Sequence, residues 1–313
     1  MAEPLPVLAG ACAAPSQPLA STLSRYGQRE KHAPRNHEQI REFCQFLAHE
    51  WVGNRQHSYA IPPRGKSRAW SRTVDGKWSV AGLADAASKY TWHGKNFTEN
   101  KAEFDRLAAD LQSAIQRDSN SDVCTILRTI MHWGGADNSY RQKGTFDWIE
   151  RNADEISAKL SNVVDLIKDE RATLDSFDGV NLTMNSTMAK IVSFADPEQK
   201  LVAYDGRLGG ALGYFVARFT EQRDIHQYDV AEQLLFAVDR EPKRTPDTNR
   251  IRFLALFGKT RDLRHATMVR RASQLIWQVA KECHASPREI EAALFMWGYN
   301  VMWQCNAADQ FQH

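Results

Sequence analysis

The sequence predicts an all-α protein, and three observations carry that reading. Helix formers and amphipathic runs dominate the chain, while alternating β-type runs are scarce. Helix boundary signals also recur between the periodic segments, at Gly134-Gly135, Asp196-Pro197 and Ser286-Pro287. At 313 residues and 42% hydrophobic content, the chain can bury a sizeable core, in one large or two modest domains.

Residues 1–33 read as a flexible leader, with a start rich in Pro, Ala and Ser. That start lacks a basic segment and a continuous apolar run, so it is a poor secretory signal. His37 to Val52 places Ile40, Phe43, Leu47 and Trp51 at helical spacing. Gly53 to Lys77 is polar and basic, with Trp70 inside it, Trp78 just beyond it, and Pro62-Pro63-Arg64-Gly65-Lys66 at its centre. Two readings fit: a loop gripping a nucleic-acid backbone while its aromatics stack on bases, or a surface excursion whose tryptophans pack on the core. Trp78 to Tyr90 and Asn100 to Gln116 read as further helices.

Val123, Ile126, Leu127, Ile130 and Met131 form an apolar stripe that ends at Trp133-Gly134-Gly135, an ordinary helix stop. Phe146 to Ile167 reads as one long helical segment, with Ile149, Ile156, Leu160, Val163, Val164 and Ile167 inward. Ile191, Phe194 and Ala195 mark the next helix, which Asp196-Pro197-Glu198 ends because proline cannot continue it. Leu201 to Tyr204 is short and apolar, a buried extended link. Asp205-Gly206-Arg207 then opens a helix through Leu208, Leu212, Phe215, Val216 and Phe219.

Asp239 to Asn249, with Pro242 and Pro246, reads as a loop, and Thr267 to Cys283 as a helix with Met268, Ala272, Leu275, Ile276 and Val279 inward. Ser286-Pro287-Arg288-Glu289 has capping-box spacing with proline at the first helical position. It opens a last helix through Leu294, Trp297 and Val301. The aromatics Phe295, Trp297, Tyr299 and Trp303 read as core rather than as a cofactor box.

The net charge of +2 says little, but its distribution is uneven. Arg25 to Lys77 holds 11 Lys/Arg against 5 Asp/Glu, and Asp239 to Arg271 holds 10 against 4. Phe146 to Asp178 between them holds 4 against 9. This pattern fits surfaces laid on phosphate, or ordinary solvated charge. The five cysteines, at 12, 44, 124, 283 and 305, form no C-x-x-C pair, which argues against a disulfide framework, a zinc site or an iron–sulfur loop. P-loop, dinucleotide, H-E-x-x-H and G-x-S-x-G motifs are missing. No metal and no cofactor are expected. With no transmembrane run either, the expectation is a cytoplasmic monomer.

The stretch Met184 to Arg218 carries the most chemistry. It fixes a carboxylate, Asp205, at a helix N-terminus, one helix after Lys190. Breaking an N-glycosidic bond builds positive charge on the sugar, which a nearby carboxylate stabilises. A helix N-terminus favours the ionised form. Aspartate is equally a common N-cap. Lys190 fits an amine nucleophile, or a solvated charge or phosphate contact.

The order helix, loop, apolar-Asp-x-x-apolar turn resembles the helix-hairpin-helix DNA glycosylases. Asp205 stands at the family aspartate, between Ala203-Tyr204 and Arg207-Leu208. Lys190, 15 residues earlier, lies near the lysine of the strand-cleaving members. The hairpin departs from the family Gly-x-Gly turn, reading Gly179-Val180-Asn181-Leu182-Thr183. The resemblance spans roughly Val123 to Arg218, about a third of the chain.

What the resemblance implies is a two-lobed helical fold across residues 34–313, with one lobe from about 34–120 with 220–313 and the other from 121–219. It implies excision of a damaged or modified base from double-stranded DNA, in repair or in defence against phage, without strand cleavage. Asp205 would be the catalytic carboxylate, with Lys190 beside it. His132, Trp133, Asn138 and Tyr204 would line the pocket for the extruded base. Asn185, Ser186, Thr187, Arg207, Arg64 and Lys66 would contact DNA. A tryptophan ending an apolar helix is also a common core plug. A non-catalytic helical DNA-binding module and a helical protein unrelated to DNA are the other readings of the same surfaces.

Overall fold

The computed structural model describes residues 24–61, 76–135, 143–302, and among them ten α-helices and one small sheet. The helices are α1 (Ser24–Val52), α2 (Leu83–Ser88), α3 (Phe97–Gln116), α4 (Asn120–Trp133), α5 (Lys143–Arg151), α6 (Ile156–Lys168), α7 (Ser186–Ala195), α8 (Gly206–Gln222), α9 (Arg261–Cys283) and α10 (Pro287–Trp297). The all-α expectation therefore stands. No helix among the described residues is long and apolar enough to cross a membrane.

Several elements differ from the sequence reading. α1 begins at Ser24, so its first turns fall within the stretch read as a leader. His57–Ala60 (β1) and Lys77–Val80 (β2) form an antiparallel pair with His57 opposite Val80. Trp78 therefore lies in a strand and not in a helix. Its ring stacks on Tyr59 across the pair, centroids 4.8 Å apart, and this buried aromatic contact holds a pairing too short for periodicity to reveal. The segment read as one helix from Phe146 to Ile167 is broken. Asn152 turns its side-chain amide back to the Trp148 carbonyl (2.7 Å), and a short 3-10 turn, Ala153–Glu155, leads into α6.

The helices pack in two groups. α3, α4, α6 and α7 pack on one another, while α1, α2, α8, α9 and α10 form the second group around the buried Phe43, Phe215, Phe219 and Trp297. α3 packs with α4, α6 and α7, and α8 with α10. The cause is the apolar face each presents, Phe104 of α3 meeting Phe194 of α7 at 4.0 Å and Phe215 of α8 meeting Trp297 of α10 at 5.3 Å. α9 touches both groups through α6 and α7.

The chain between α7 and α8 is held by side chains rather than by a ladder. Asp196, fully buried at the end of α7, accepts the backbone N–H groups of Glu198, Lys200 and Leu201 at 3.2, 2.7 and 3.0 Å. It also pairs with Lys168 at 3.2 Å. Residues 201–204 follow without regular structure. Leu201, Val202 and Tyr204 are buried as the apolar run predicts, but Ala203 is half-buried. The link is bent rather than extended, the Tyr204 N–H turning back to the Val202 carbonyl at 3.0 Å. The link's N–H groups also go to the Ser273 hydroxyl (from Val202, 3.0 Å) and to Glu291 (from Ala203, 2.7 Å).

α8 meets the end of α10 at backbone distance. A Cβ added to Gly298 would lie 1.8 Å from the Arg207 carbonyl oxygen, and backbone on both sides leaves no side chain to move aside. Gly298→Ala is expected to lower unfolding free energy by on the order of 2–3 kcal/mol, the usual range for an overpacked site. An unchanged midpoint in denaturant unfolding would show that the α8–α10 contact is loose.

Candidate functional site

A cleft of about 760 Å³, its mouth included, opens between the two helix groups. One wall comes from Asn100 and Phe104 of α3, Trp133 of α4, and Lys190 and Ser193 of α7. The other comes from Ala203, Asp205 and Leu208 at the entry of α8, and from Arg288, Glu291 and Phe295 of α10. Tyr90 and Trp92, in the segment between α2 and α3, close one side.

The elements explain why these groups meet. α3 opens on a capping box in which Asn96 and Glu99 bond each other's backbone N–H groups, and one turn in, Asn100 ties the loop before it. α10 opens on the expected box of Ser286 and Glu289, with Pro287 first. Arg288 and Glu291 then fall three residues apart on one face and pair at 2.5 Å.

Asp205 is half-buried and caps α8: its Oδ1 accepts the N–H groups of Arg207 (2.9 Å) and Leu208 (3.0 Å). Its Oδ2 has no hydrogen-bond partner among the described residues. Lys190 lies in the cleft with its stem beside Gly134, where a Cβ would stand 2.8 Å from the Lys190 Cδ. Its Nζ donates to the Ser186 carbonyl at 3.3 Å. Burial pushes its ammonium below the ordinary lysine range, and the cation of Arg207 adds to that, while Asp205 and Glu291 oppose it. A charge ladder of Lys190, Asp205, Arg207 and Glu291 thus shares one low-dielectric site.

Arg207 is enclosed by rings. Its guanidinium carbon lies 4.4 Å from the Phe295 centroid, 5.0 Å from Tyr299 and 5.6 Å from Trp92. Trp92 in turn donates its indole N–H to the Trp133 carbonyl at 2.9 Å. Beneath Asp205, the buried His265 bonds the Tyr204 carbonyl at 2.9 Å; since a carbonyl only accepts, Nε2 carries the hydrogen.

The residues picked from the sequence fall into three sets. Asp205, Lys190 and Trp133 meet in the cleft. Lys190 is therefore no solvated surface charge, because α7 turns it toward α4 and α8. Two pocket candidates are misplaced. His132 is exposed, since it sits about 100° around α4 from Trp133. Tyr204 is fully buried in the core, its hydroxyl donating to the Ala237 carbonyl at 2.6 Å. Among the expected DNA contacts, Asn185 is used as the N-cap of α7, accepting from Thr187 and Met188, and Thr187 is buried. Ser186 is half-buried, and Arg207 faces rings rather than open solvent. Arg64, Lys66, Trp70 and Asn138 lie outside the described residues.

The sequence reading missed Trp92, Asn100, Arg288, Glu291 and Phe295. Arg288 and Glu291 carried a signal, two charges on the apolar side of a helix with a strong cap; Asn100 and Trp92 carried none. No group of three or more His, Cys, Asp or Glu among the described residues is placed to hold a metal ion.

No protein-family model, curated protein or solved structure matches the chain. The reading of the cleft rests on its geometry.

His265 makes the site sensitive to acid. Burial pulls its pKa from 6.5 to about 4, so the folded protein binds this proton more weakly than the unfolded chain. Its contribution is complete above pH 6.5 and falls as pH drops from there towards 4. His57, stacked on Trp297 and likewise lowered by burial to about 4, acts in the same direction. Denaturant unfolding between pH 7.5 and 4.5 is expected to show a loss of stability in this window, and His265→Gln is expected to flatten part of it. An unflattened profile would remove His265 as a cause.

Proposed function

We propose that the protein is a DNA glycosylase of the helix-hairpin-helix type, which turns a nucleotide out of duplex DNA and removes its base in this cleft. The observation that supports it most is the convergence of Asp205, with Oδ2 unpartnered, and Lys190 in one aromatic-lined cleft. Helix capping alone accounts for Asp205 Oδ1 but not for a half-buried lysine that lines the same cleft.

As the base–sugar bond breaks, electrons pass to the departing base and positive charge builds on the sugar. Asp205 Oδ2 stabilises that charge, at a cap whose geometry is set before any substrate arrives. The depressed Lys190 ammonium gives up its proton more readily, leaving a neutral amine able to attack the anomeric carbon. The base leaves with the bonding electrons and takes up the amine's proton, and opening of the sugar ring then gives the iminium that borohydride reduces. That favours the covalent reading of Lys190 over the phosphate contact. Trp92 and Phe295 offer faces against which an extruded base stacks. The turn before α7 departs from a tight hairpin. Residues 169–185 separate α6 from α7, and Asp178 organises the turn by accepting the N–H groups of Val180 (2.8 Å) and Asn181 (2.7 Å).

Asp205→Asn retains an N-cap residue, so stability is expected to change by about 1 kcal/mol or less. Single-turnover base release is expected to fall by on the order of a hundredfold or more, as when one strong electrostatic contact is lost, while duplex binding persists. Equal excision by parent and variant would reduce Asp205 to a helix cap.

Borohydride is expected to trap a covalent complex between the protein and a substrate duplex, and Lys190→Gln to abolish it. A parent that excises bases but never traps would return Lys190 to a non-covalent role. A parent that releases no base from a broad set of modified duplexes would leave a DNA-binding module.

A further inference from the structure

Three polar atoms around Phe104 have no partner among the described residues and are shielded from solvent: Asn100 Oδ1, Arg288 Nε and Trp133 Nε1. All three residues line the cleft. Asn100 lies one turn before Phe104 on α3. The Arg288 guanidinium stacks 4.1 Å from the Phe104 centroid, and the Trp133 ring meets its edge at 6.3 Å.

The hydrogen-bonding sense of each atom is fixed by what its side chain already does. Asn100 Nδ2 faces the carbonyls of Trp92, Lys95 and Asn96 at 3.1, 3.0 and 3.1 Å. Three acceptors at one end of the amide require a donor there, so the amide cannot flip and Oδ1 remains an acceptor. Arg288 engages Nη1 with Glu291 at 2.5 Å and Nη2 with the Ser193 carbonyl at 3.0 Å, and Nε is the guanidinium nitrogen left with no bond. Trp133 has a single polar atom, an N–H donor, and its ring is held edge-on by Phe194 at 5.1 Å.

Buried polar groups without partners are costly, and all three belong to residues that line the cleft. We propose that this set reads the hydrogen-bonding edge of the extruded base and rejects guanine, taking a base whose edge offers one N–H among acceptors; the inference rests on the glycosylase reading. One fixed acceptor takes one N–H, and two fixed donors take two lone pairs. Uracil-type bases offer one N–H between two carbonyl oxygens. Cytosine-type bases offer one amino N–H beside a ring nitrogen and a carbonyl, and adenine offers one amino N–H between two ring nitrogens. Guanine offers two donors and one acceptor on the same edge, which sets donor against donor at this cleft.

The test is equilibrium binding of the full chain to duplexes that differ only in one nucleotide, each carrying a 2′-fluoro sugar that suppresses bond cleavage. Uracil-type or cytosine-type nucleotides are expected to bind at least tenfold tighter than guanine at the same site. Trp133→Phe keeps the ring and removes one N–H, so it is expected to shrink that ratio several-fold without changing the salt dependence of binding. Methylation of N3 in the uracil duplex is expected to do the same with the protein unaltered, if the uracil-type edge is the one read; an effect confined to 4-N,N-dimethylcytosine assigns the cytosine-type edge.

Guanine bound as tightly as either pyrimidine, or ratios unmoved by Trp133→Phe and by both methylations, would overturn the proposal. Base release from the unfluorinated guanine duplexes alone would overturn it while leaving the glycosylase reading intact. A preference against guanine in binding without release of any base would keep the recognition set and remove the enzyme.

Discussion

The site depends on a short link that belongs to no sheet. Leu201, Val202 and Tyr204 are buried, and buried backbone groups must find partners. Asp196, just before the link, serves Leu201, and side chains from distant elements serve the rest: Ser273 of α9 for Val202, Glu291 of α10 for Ala203, and His265 of α9 for the Tyr204 carbonyl. These four contacts fix where α8 begins, and therefore where Asp205 stands. The packing of α9 and α10 is thus transmitted to the cleft through hydrogen bonds to one short segment.

Glu291 belongs to two systems at once. One oxygen holds the Ala203 N–H and the other holds Arg288, while its charge draws on Lys190. A buried ion pair contributes little net stability when desolvation is counted, but removing one partner leaves a stranded charge. The same logic covers the whole cleft, where Lys190, Arg207 and Arg288 are balanced by Asp205 and Glu291 and by aromatic faces. Aromatic walls keep the effective dielectric low. That lowers the Lys190 ammonium and also strengthens the field that Asp205 exerts on a neighbouring cation.

The helices were legible in the sequence wherever apolar spacing and a boundary residue agreed. The stripe of α4 with Gly134, the Asp196-Pro197 break, the Asp205 start of α8 and the capping box of α10 all stand as read. The β1–β2 pair was not legible, because four-residue strands carry too few alternations and the contact that holds them, Tyr59 on Trp78, is a tertiary one. Within the site, the residues on one continuous motif were found. Those that α3 and α10 bring from far away in the chain were not. His132 and Trp133 show the limit most clearly: a one-residue step around α4 separates an exposed side chain from one in the cleft.

In the proposed reaction, Asp205 combines two roles that usually compete. A cap uses carboxylate oxygen to satisfy backbone N–H groups, whereas electrostatic catalysis needs oxygen left free. Here the two oxygens are divided, Oδ1 on the first turn of α8 and Oδ2 without a partner. The cap holds the side chain in one rotamer, so orienting Oδ2 costs no further conformational entropy when a substrate enters. Gly206, next in the chain, lets the turn close against Asp239, where a Cβ would stand 2.6 Å from the Asp239 Cβ. A glycine-led helix start, a buried link and a carboxylate at their junction are one device. It makes the position of a single oxygen a property of the fold rather than of the bound state.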